Sequence, residues 1–209
     1  MRFVVKTFRV NPKKIKVLYN YIDIENFKPT PTVKYANRVL FLGRLNKAKN
    51  LFSLLDALEN TNYQLDIVGD GELKDKLSNY ISKKNISVKF IGRIKNSEVP
   101  QIINKYSVFA LVSYYEGNPK ALLEALACGS SVVCSDIESI REIIQDKKNG
   151  LLCKHDFLSI RNAINKIMQD KTLQKDLGKN AVKFIVENCL LTEIVKKEVM
   201  IYKQLTLER

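Results

Sequence analysis

Residues 37–69 read NRVLFLGRLNKAKNLFSLLDALENTNYQLDIVG, and this stretch decides the fold. A short apolar, β-rich run at 37–43 ends in glycine, a segment with leucines at helical spacing follows at 50–60, and a second strand-like run occupies 63–69. Strand, helix and strand in that order predict a βαβ unit, in which the two strands lie parallel and the helix covers one face of the sheet.

The same alternation continues along the chain. Further strands are predicted at 88–92, 107–113 and 131–136, with a short sixth strand at 150–153, and three amphipathic helical segments follow from Phe157 onward. Because each strand is short and nearly continuously apolar, we expect helices on both faces of the sheet. The predicted fold class is α/β, a Rossmann-like parallel sheet sandwiched by helices, with C-terminal helices added. We expect residues 1–30 to be a lead-in and residues 31–209 to form one domain.

Length and composition are those of an ordinary globular domain, since the chain has 209 residues of which 45% are hydrophobic. No apolar run approaches the roughly 18 residues of a membrane span. The N-terminal stretch MRFVVKTFRVNPKKIKV lacks the continuous apolar core and the cleavage site of a signal peptide. We therefore expect a cytoplasmic protein.

The formal net charge of +13 could attract nucleic acid or an anionic membrane surface. The lysines are scattered, however, and adjacent ones occur as short pairs without interleaved aromatic residues. This pattern favours a solvated basic surface. Weak peripheral contact with an anionic membrane ranks second, and specific nucleic-acid binding is a distant third.

The cysteines and the single histidine show no metal-binding pattern. None of the four cysteines forms a C-x-x-C pair, and His155 has no partner at ligand spacing. We expect no zinc site, no catalytic role for His155, and cysteines that act as small buried hydrophobic residues.

Polar residues collect where the predicted strands end. The segments that follow the first four strands read GRLNKAK, GDGE, GRIKN and SYYEGNP. Ligands of open parallel sheets bind beyond the carboxyl ends of the strands, so we expect a site at this edge. Arg44 offers a planar fork and Lys49 a point charge, and both suit phosphate oxygens. The alternative interpretation for the two is a surface ion pair.

The stretch EGNPKALLE begins the helix after the fourth strand. Pro119 suits the first position of a helix and Asn118 suits its N-cap. The free amides of the first turn, around Lys120, Ala121 and Leu122, then form an anion site together with the helix dipole.

Glu116 and Glu124 stand eight positions apart and would border this cationic site. An ionised carboxylate can accept two hydrogen bonds at once, which suits the vicinal hydroxyls of a sugar or ribose. A diphosphate between two polyols would satisfy the whole set, and a nucleotide sugar has that structure. The alternative for Glu124 is a solvent-facing helix residue, but its apolar neighbours favour a functional role.

These segments together resemble a known family. EGNPKALLEALACGSSVV is similar to the E-x7-E signature of retaining glycosyltransferases of family 4, which have the GT-B fold, and FLGRLNKAKN is similar to that family's Gly-Arg-Leu…Lys segment. VLYNYIDIENFKP resembles its interdomain stretch, and IVGDGELKDKL, VKFIGRI and REIIQDKKNGLLCKHD follow in the expected order. The resemblance covers residues 15 to 205 and points to the C-terminal, donor-binding domain.

The resemblance implies a role for each matched residue. The catalytic positions would be Arg44 and Lys49, which bind the donor diphosphate, and Glu116, which holds the transferred sugar. The resemblance assigns Glu116 no nucleophilic role. Glu124 would bind the ribose hydroxyls, and the backbone of the segment after the third strand would contact the base. The donor-binding positions besides Glu124 are Gly43, Arg93, Ile94, Gly117, Asn118, Pro119, Lys120, Ala121 and Leu122.

The implied activity is hexosyl transfer with retention from a nucleotide sugar, UDP-linked in many family members, to a hydroxyl of a glycan or lipid-linked acceptor in cell-envelope polysaccharide biosynthesis. No metal or other cofactor is expected. Because the chain begins at the linker-like stretch, we expect the N-terminal acceptor domain to be absent from these 209 residues. We expect that domain to be supplied in cis or in trans. The chain alone should then be inactive or nearly so, and could sit at the inner face of the membrane.

Two alternatives and two departures qualify this expectation. The chain could be a non-catalytic or split-enzyme module that binds a nucleotide sugar, or, on charge alone, an α/β protein that binds nucleic acid. Asn118 stands where the family often has phenylalanine, so the sugar pocket is expected to differ. Tyr21 stands where the linker often has glycine.

Overall fold

The computed structural model describes residues 7–16, 18 and 20–207, so parts of the predicted lead-in, including positions 17 and 19, lie outside the described residues. Within them a six-stranded parallel sheet has the order β3-β2-β1-β4-β5-β6. The α/β fold and all six predicted strands, including the short sixth, are confirmed. The strands are β1 Tyr35–Leu42, β2 Gln64–Val68, β3 Ser87–Gly92, β4 Tyr106–Leu111, β5 Ser131–Ser135 and β6 Leu151–Cys153.

Helices cover both faces of the sheet, as the apolar strands predicted. The first helix packs against the sixth on one face and the fourth against the seventh on the other, which follows from right-handed crossovers that run outward in both directions from the centre. The three predicted C-terminal helices are present. The helices are α1 Leu51–Leu58, α2 Lys74–Ile81, α3 Val99–Asn104, α4 Lys120–Ala127, α5 Glu138–Arg141, α6 Phe157–Gln169, α7 Lys171–Asn188 and α8 Leu191–Leu207.

The core lies between the central strands and the helices on either side. Every residue of β4 and β5 is buried, whereas the edge strand β3 is only partly covered. All four cysteines are buried and unpaired, which confirms the expectation of small hydrophobic residues. In the part of the chain that is described, no helix combines the length and the apolar character that crossing a membrane would require.

Part of the predicted lead-in packs on the domain. Ile22 bridges to Leu190 in a parallel β-bridge, and both Ile22 and Phe27 are buried in the hydrophobic core cluster. These contacts attach the segment that precedes β1 to the sheet's helical layer. The domain boundary at residue 30 stays a prediction.

The core also contains one charged network. The carboxylate of Asp66, which is fully buried in β2, accepts hydrogen bonds from Arg38 at 3.0 Å, Gln64 at 2.6 Å and the Tyr106 hydroxyl. The partners lie on β1, β2 and β4, so the network joins three neighbouring strands near their amino ends. Satisfied in this way, a buried carboxylate specifies strand register, because a one-residue slip would leave it unpaired.

The predicted start of α4 is wrong by one residue. The helix begins at Lys120, and Pro119 rather than Asn118 is its N-cap, with extended backbone angles and no side-chain capping bond. The Pro119 carbonyl accepts hydrogen bonds from the amides of Leu122 and Leu123. The proline ring supplies no acceptor, so the position lacks the capping oxygen that the asparagine would have given.

Candidate functional site

The candidate site lies at the carboxyl end of the sheet, where the chain changes direction. β1 and β4 are neighbours, while β2 and β3 extend on one side and β5 and β6 on the other. Such a switch point leaves a crevice between the two loops that leave the central strands. The loop after β1 carries Arg44 and Lys49, and the loop after β4 carries Glu116, so the structure brings these predicted residues to one place.

Backbone contacts hold the β1 loop in position. A Cβ atom at Gly69 would lie 2.0 Å from the Gly43 carbonyl oxygen, and one at Gly71 would lie 2.4 Å from the Leu45 carbonyl oxygen. Gly43 and Leu45 in turn donate their amides to carbonyls of the β2 strand and its loop. The glycines of the sequence GDG therefore allow the second loop to pack directly under the loop that presents Arg44.

Lys49 and Glu116 form an ion pair across the crevice. The Lys49 Nζ lies 2.6 Å from the Glu116 Oε1, and the two side chains are 18% and 9% exposed. The Ser113 hydroxyl donates to the same oxygen at 2.6 Å. This pair is therefore largely buried, and it is not the surface ion pair of the alternative interpretation. Arg44 is exposed and lies in no ion pair with a described carboxylate.

The first turn of α4 provides free amide donors beside that pair. Among the described residues, no acceptor is found for the amides of Lys120 and Ala121, whereas the Leu122 amide already donates to the Pro119 carbonyl at 3.0 Å. Two of the three predicted donors are thus available to an anion in the ligand-free protein. They sit at the positive end of the helix dipole, and α4 is eight residues long.

Glu124 lies in the second turn of α4 and is buried, with 4% of its surface exposed. The solvent-facing interpretation of this residue is therefore wrong. Burial raises the pKa of its carboxyl, and the Lys120 ammonium, whose Nζ is 3.6 Å from Oε1, opposes the shift. Among the described residues no cation lies closer to this carboxylate, so its oxygens can accept hydrogen bonds from hydroxyl groups of a ligand.

The remaining predicted residues lie around the same edge. Arg93 and Ile94 follow β3, two strands from β1 and therefore roughly 10 Å to one side. Arg93 is exposed, with its Nε 3.9 Å from the Asp70 Oδ2. Gly117 and Asn118 are exposed on the β4 loop, where the Asn118 carbonyl accepts a hydrogen bond from the Asn20 side chain at 3.1 Å.

A cavity of about 580 Å³ opens between the segment before β1, the β3–α3 loop and the start of α4. It is bordered by Lys120, whose Nζ lies 3.6 Å from the Glu124 Oε1, and by residues of the loop that begins at Arg93. Its wall is mostly polar, and no positive patch dominates it. The residues that line it are Asn20, Tyr21, Ile22, Asp23, Asn26, Phe27, Asn96, Ser97, Pro100 and Lys120.

Residues outside the predicted site also meet at this edge. His155 donates from Nε2 to the Ser113 carbonyl at 3.1 Å, and its ring lies 5.0 Å from that of Tyr114. The Asn50 side chain donates to the His155 carbonyl at 3.0 Å, which links the β1 and β6 loops. Ser113 is recognisable in the sequence as the polar residue that ends a strand. His155 follows a strand of only three residues, and nothing in the sequence around it shows that it contacts Ser113 and Tyr114.

No metal ligand set accompanies this arrangement in the described part of the chain, where no three His, Cys, Asp or Glu side chains group closely enough to hold an ion. The expectation of a reaction that needs no metal stays a prediction.

Comparison with known proteins gives glycosyltransferases among the relatives of this chain. The chain is 34% identical over 179 residues to an N-acetylgalactosaminyltransferase of Campylobacter jejuni named for a diphospho-undecaprenol substrate, covering 82% of this chain and 49% of that protein. It is 30% identical to an Escherichia coli UDP-Gal:alpha-D-GlcNAc-diphosphoundecaprenol alpha-1,3-galactosyltransferase, covering 92% and 55%. The chain spans about half the length of these curated relatives.

Solved structures agree on the fold. Sucrose-phosphate synthase from Thermosynechococcus elongatus superposes with a TM-score of 0.90 at 21% identity, covering all of this chain and 56% of that one. The Anabaena protein Alr3699/HepE, crystallised with UDP and glucose, gives 0.84 at 22% identity, covering 93% and 58%. A C-terminal domain of a group 1 glycosyl transferase from Francisella tularensis gives 0.70 at 18% identity, covering 81% of this chain and 99% of that one.

The family model described as "Glycosyl transferases group 1" matches residues 22–184, which includes both glutamates, Arg44 and Lys49. Together with the Rossmann-like sheet and the crevice at its switch point, this match establishes that the chain belongs to the group 1 glycosyl transferase family.

Proposed function

We propose that this chain is the donor-binding half of a retaining glycosyltransferase of family 4 that uses a nucleotide sugar, with UDP as the nucleotide. The observation that carries the proposal is the grouping at one crevice of two cations, two free helix amides and two largely buried carboxylates. Cations and amides suit a diphosphate, and buried carboxylates suit the hydroxyls on either side of it.

The donor then has one orientation in the site. The diphosphate lies between Arg44, Lys49 and the amides of Lys120 and Ala121. The transferred sugar lies over the β4 loop, next to Glu116, and the ribose lies next to Glu124. The base extends toward the Arg93 loop and enters the neighbouring cavity of about 580 Å³, whose polar wall can serve the edges of a uracil ring.

In the proposed reaction, a hydroxyl of the acceptor forms a bond to the anomeric carbon on the same face from which the diphosphate departs. The bond from that carbon to the diphosphate breaks, and the hydroxyl proton passes to the departing diphosphate oxygen. Charge grows on the departing diphosphate, and Arg44 and Lys49 stabilise it more strongly than they stabilise the bound donor. Glu116 serves as a hydroxyl acceptor rather than as a nucleophile, because its Oε1 is already engaged by Lys49 and Ser113. No metal is required in this scheme.

The acceptor is proposed from the relatives alone. Both transferases described above are named for diphospho-undecaprenol substrates. We accordingly propose a lipid-linked glycan acceptor, a role in cell-envelope glycan synthesis, and a place in the cytoplasm at the inner face of the membrane. An acceptor-binding domain, in cis or in trans, would position the hydroxyl and exclude water, so this chain alone should turn over little or no donor.

A second candidate function is a nucleotide-sugar-binding module without catalysis. It rests on the same donor site, which can bind a nucleotide sugar whether or not transfer follows. A mixture of this chain with a candidate acceptor domain separates the two functions. Transfer from a UDP-sugar that appears only in the mixture, and is lost in Arg44→Ala, supports the enzyme, whereas binding without transfer in any such mixture supports the module.

Calorimetric titration of the chain with UDP, GDP and ADP tests the donor site itself. We expect UDP to bind and Arg44→Ala to weaken that binding by about 1.5–3 kcal/mol, the scale of a hydrogen bond to a charged group. Lys47→Ala is the matched control, because Lys47 is an exposed cation of the same loop to which no donor contact is assigned. Failure of all three nucleotides to bind would refute the site assignment.

A further inference from the structure

The amino end of the sheet, opposite the proposed donor site, carries an open cavity of about 310 Å³. Its wall is formed by the segment before β1, the end of α4 and one face of α7. Of the described residues that line it, four are lysines and none is a carboxylate. The four lysines are Lys34, Lys171, Lys175 and Lys179.

Helix α7 presents three of these lysines on one face, because Lys171, Lys175 and Lys179 are spaced four residues apart. Like charges at this spacing repel one another and weaken the helix. The helix approaches the end of α4 closely, since a Cβ atom at Gly178 would lie 2.5 Å from the Gly129 carbonyl oxygen. The lysine row therefore stands directly over the cavity.

Two of the residues that line the cavity have donors for which the described part of the chain offers no acceptor. Lys34 is partly buried and forms no ion pair with a described carboxylate, and burial lowers the pKa of its ammonium. Gln174 also lines the cavity, and its side-chain Nε2 is buried without a hydrogen-bond partner among the described residues. A buried donor left unmatched costs free energy, and a partly buried cation without a counter-charge adds to that cost.

This cavity is separate from the donor site. Ser107, in its wall, stands at the start of β4, and Ser113 follows the end of the same strand. Six residues of extended chain span about 20 Å. A molecule held by Lys34 therefore cannot be held by Lys49 at the same time.

We propose that this cavity binds a phosphate group, carried either by a small phosphorylated molecule or by a lipid headgroup. A phosphate oxygen accepts from the Lys34 ammonium, and another accepts from the Gln174 amide when that side chain, whose Nε2 is buried, turns toward the cavity. The three lysines of α7 supply the remaining counter-charge at the rim. One anion thereby satisfies both unmatched donors and relieves the repulsion along α7. The inference does not depend on the donor site or on the proposed reaction.

Inorganic phosphate is the probe for the shared chemistry. In an amide-resolved NMR titration at constant ionic strength, we expect the side-chain amide signals of Gln174 to shift with phosphate concentration. Lys34→Met should weaken this binding by roughly tenfold or more, the scale of a lost charge-assisted hydrogen bond, while Lys166→Met, which removes an exposed lysine of α6, leaves it unchanged. Arg44→Ala should also leave it unchanged, because Arg44 lies at the other edge.

Three results would overturn the proposal. They are phosphate-induced shifts confined to the first turn of α4, equal phosphate affinity in Lys34→Met and the parent chain, and equal weakening by Lys34→Met and Lys166→Met. The wild-type titration needs no variant, so it decides the question even if Lys34→Met folds poorly.

Vesicles distinguish the two sources of phosphate. If lipid is the source, the chain floats with phosphatidylglycerol vesicles and Lys34→Met floats less, while Lys166→Met floats as the parent does. If a small phosphorylated molecule is the source, flotation is unaffected by Lys34→Met although phosphate binding is lost. Either pattern supports the phosphate site, and an unchanged response of Lys34→Met in both assays contradicts it.

Discussion

The Lys49–Glu116 pair offers the sharpest quantitative prediction about the site. Lys49→Met removes the ammonium but keeps much of the aliphatic stem, and it leaves the Glu116 carboxylate, which is 9% exposed, with the Ser113 hydroxyl as its remaining donor. Removing one partner from a fully buried pair costs about 3–5 kcal/mol, whereas an exposed pair contributes about 0.2–1 kcal/mol. With side chains 18% and 9% exposed, we expect a loss of about 2–3 kcal/mol.

Urea unfolding of a double-mutant cycle measures this value. Glu116→Gln in the Lys49→Met background removes the unpaired charge while keeping the side-chain shape, so the double variant should recover about 1–2 kcal/mol of the loss. The reasoning fails if the double variant is as unstable as Lys49→Met alone, because the cost would then come from packing rather than from an uncompensated charge.

The same pair should compete with the donor. Lys49 cannot bind a diphosphate at full strength while its ammonium is 2.6 Å from the Glu116 Oε1. Glu116→Gln alone should therefore bind UDP more tightly than the parent chain and yet lose the rate of sugar transfer in the complete enzyme. Calorimetry with UDP checks the first part, and unchanged affinity would show that Glu116 does not hold Lys49 back.

Lys84→Met is the matched control for both experiments. Lys84 is also paired, with its Nζ 2.7 Å from the Asp56 Oδ1 and side chains 25% and 27% exposed, but it lies on the α1–α2 side of the sheet, away from the crevice. It should lower stability without changing UDP affinity. An equal effect of Lys84→Met and Lys49→Met on UDP binding would remove Lys49 from the donor site.

Three further predictions concern Glu124, the Asp66 network and the glycine that packs under the β1 loop. Burial raises the pKa of the Glu124 carboxyl, so its charge lowers the stability of the folded protein at a pH above the raised pKa and has no such effect well below the ordinary value of 4.5. Glu124→Gln should therefore raise the melting temperature at pH 7 and lose this advantage well below pH 4.5. Equal effects of the substitution at both pH values would contradict the assignment. Asp66→Asn should cost about 1.5–3 kcal/mol in urea unfolding, the scale of a hydrogen bond to a charged group, because the Arg38 side chain that loses its partner is 33% exposed. A loss no larger than that of the exposed Asp75→Asn would show the network to be dispensable. Gly69→Ala should unfold at much lower urea concentration than Gly117→Ala, since its Cβ would meet a carbonyl oxygen at 2.0 Å with φ at +133° while the other meets nothing within 4 Å, and similar midpoints would refute the close approach of the loops.

The strands and the edge that carries the site could be predicted because their signals are local. Short apolar runs that end in Gly43, Gly69 and Gly92 mark parallel strands, and every such strand places its following loop at the same edge. The sequence therefore located Arg44 and Glu116 together without any knowledge of strand order.

Features that depend on pairs of distant residues could not be predicted in this way. Nothing in the local sequence shows that Lys49 meets Glu116, which is 67 positions away, or that the Asn50 side chain reaches the His155 carbonyl. The order of the strands in the sheet determines which loops become neighbours. That order depends on how all strands and helices pack together in the core, which no local segment shows. The cavity around Lys34 escaped notice for the same reason, although the spacing of the α7 lysines is visible in the sequence.

The start of α4 failed for a different reason. Asn118 and Pro119 each have a well-known preference at a helix start, and the two preferences agree on one position. In the structure the Asn118 carbonyl accepts a hydrogen bond from the Asn20 side chain, and the backbone at Pro119 is extended, so the first helical residue is Lys120. A tertiary contact thus outweighed two local preferences.

The central claim is that a nucleoside diphosphate binds at the β1–β4 crevice, and an amide-resolved NMR titration of this chain with UDP tests it most directly. We predict that the backbone amides of Lys120 and Ala121, for which the described residues provide no acceptor, show the largest shifts, and that the Gln174 side-chain amide at the opposite edge shifts far less. UDP-induced shifts that leave Lys120 and Ala121 unmoved, or the absence of any shift at saturating UDP, would contradict the claim.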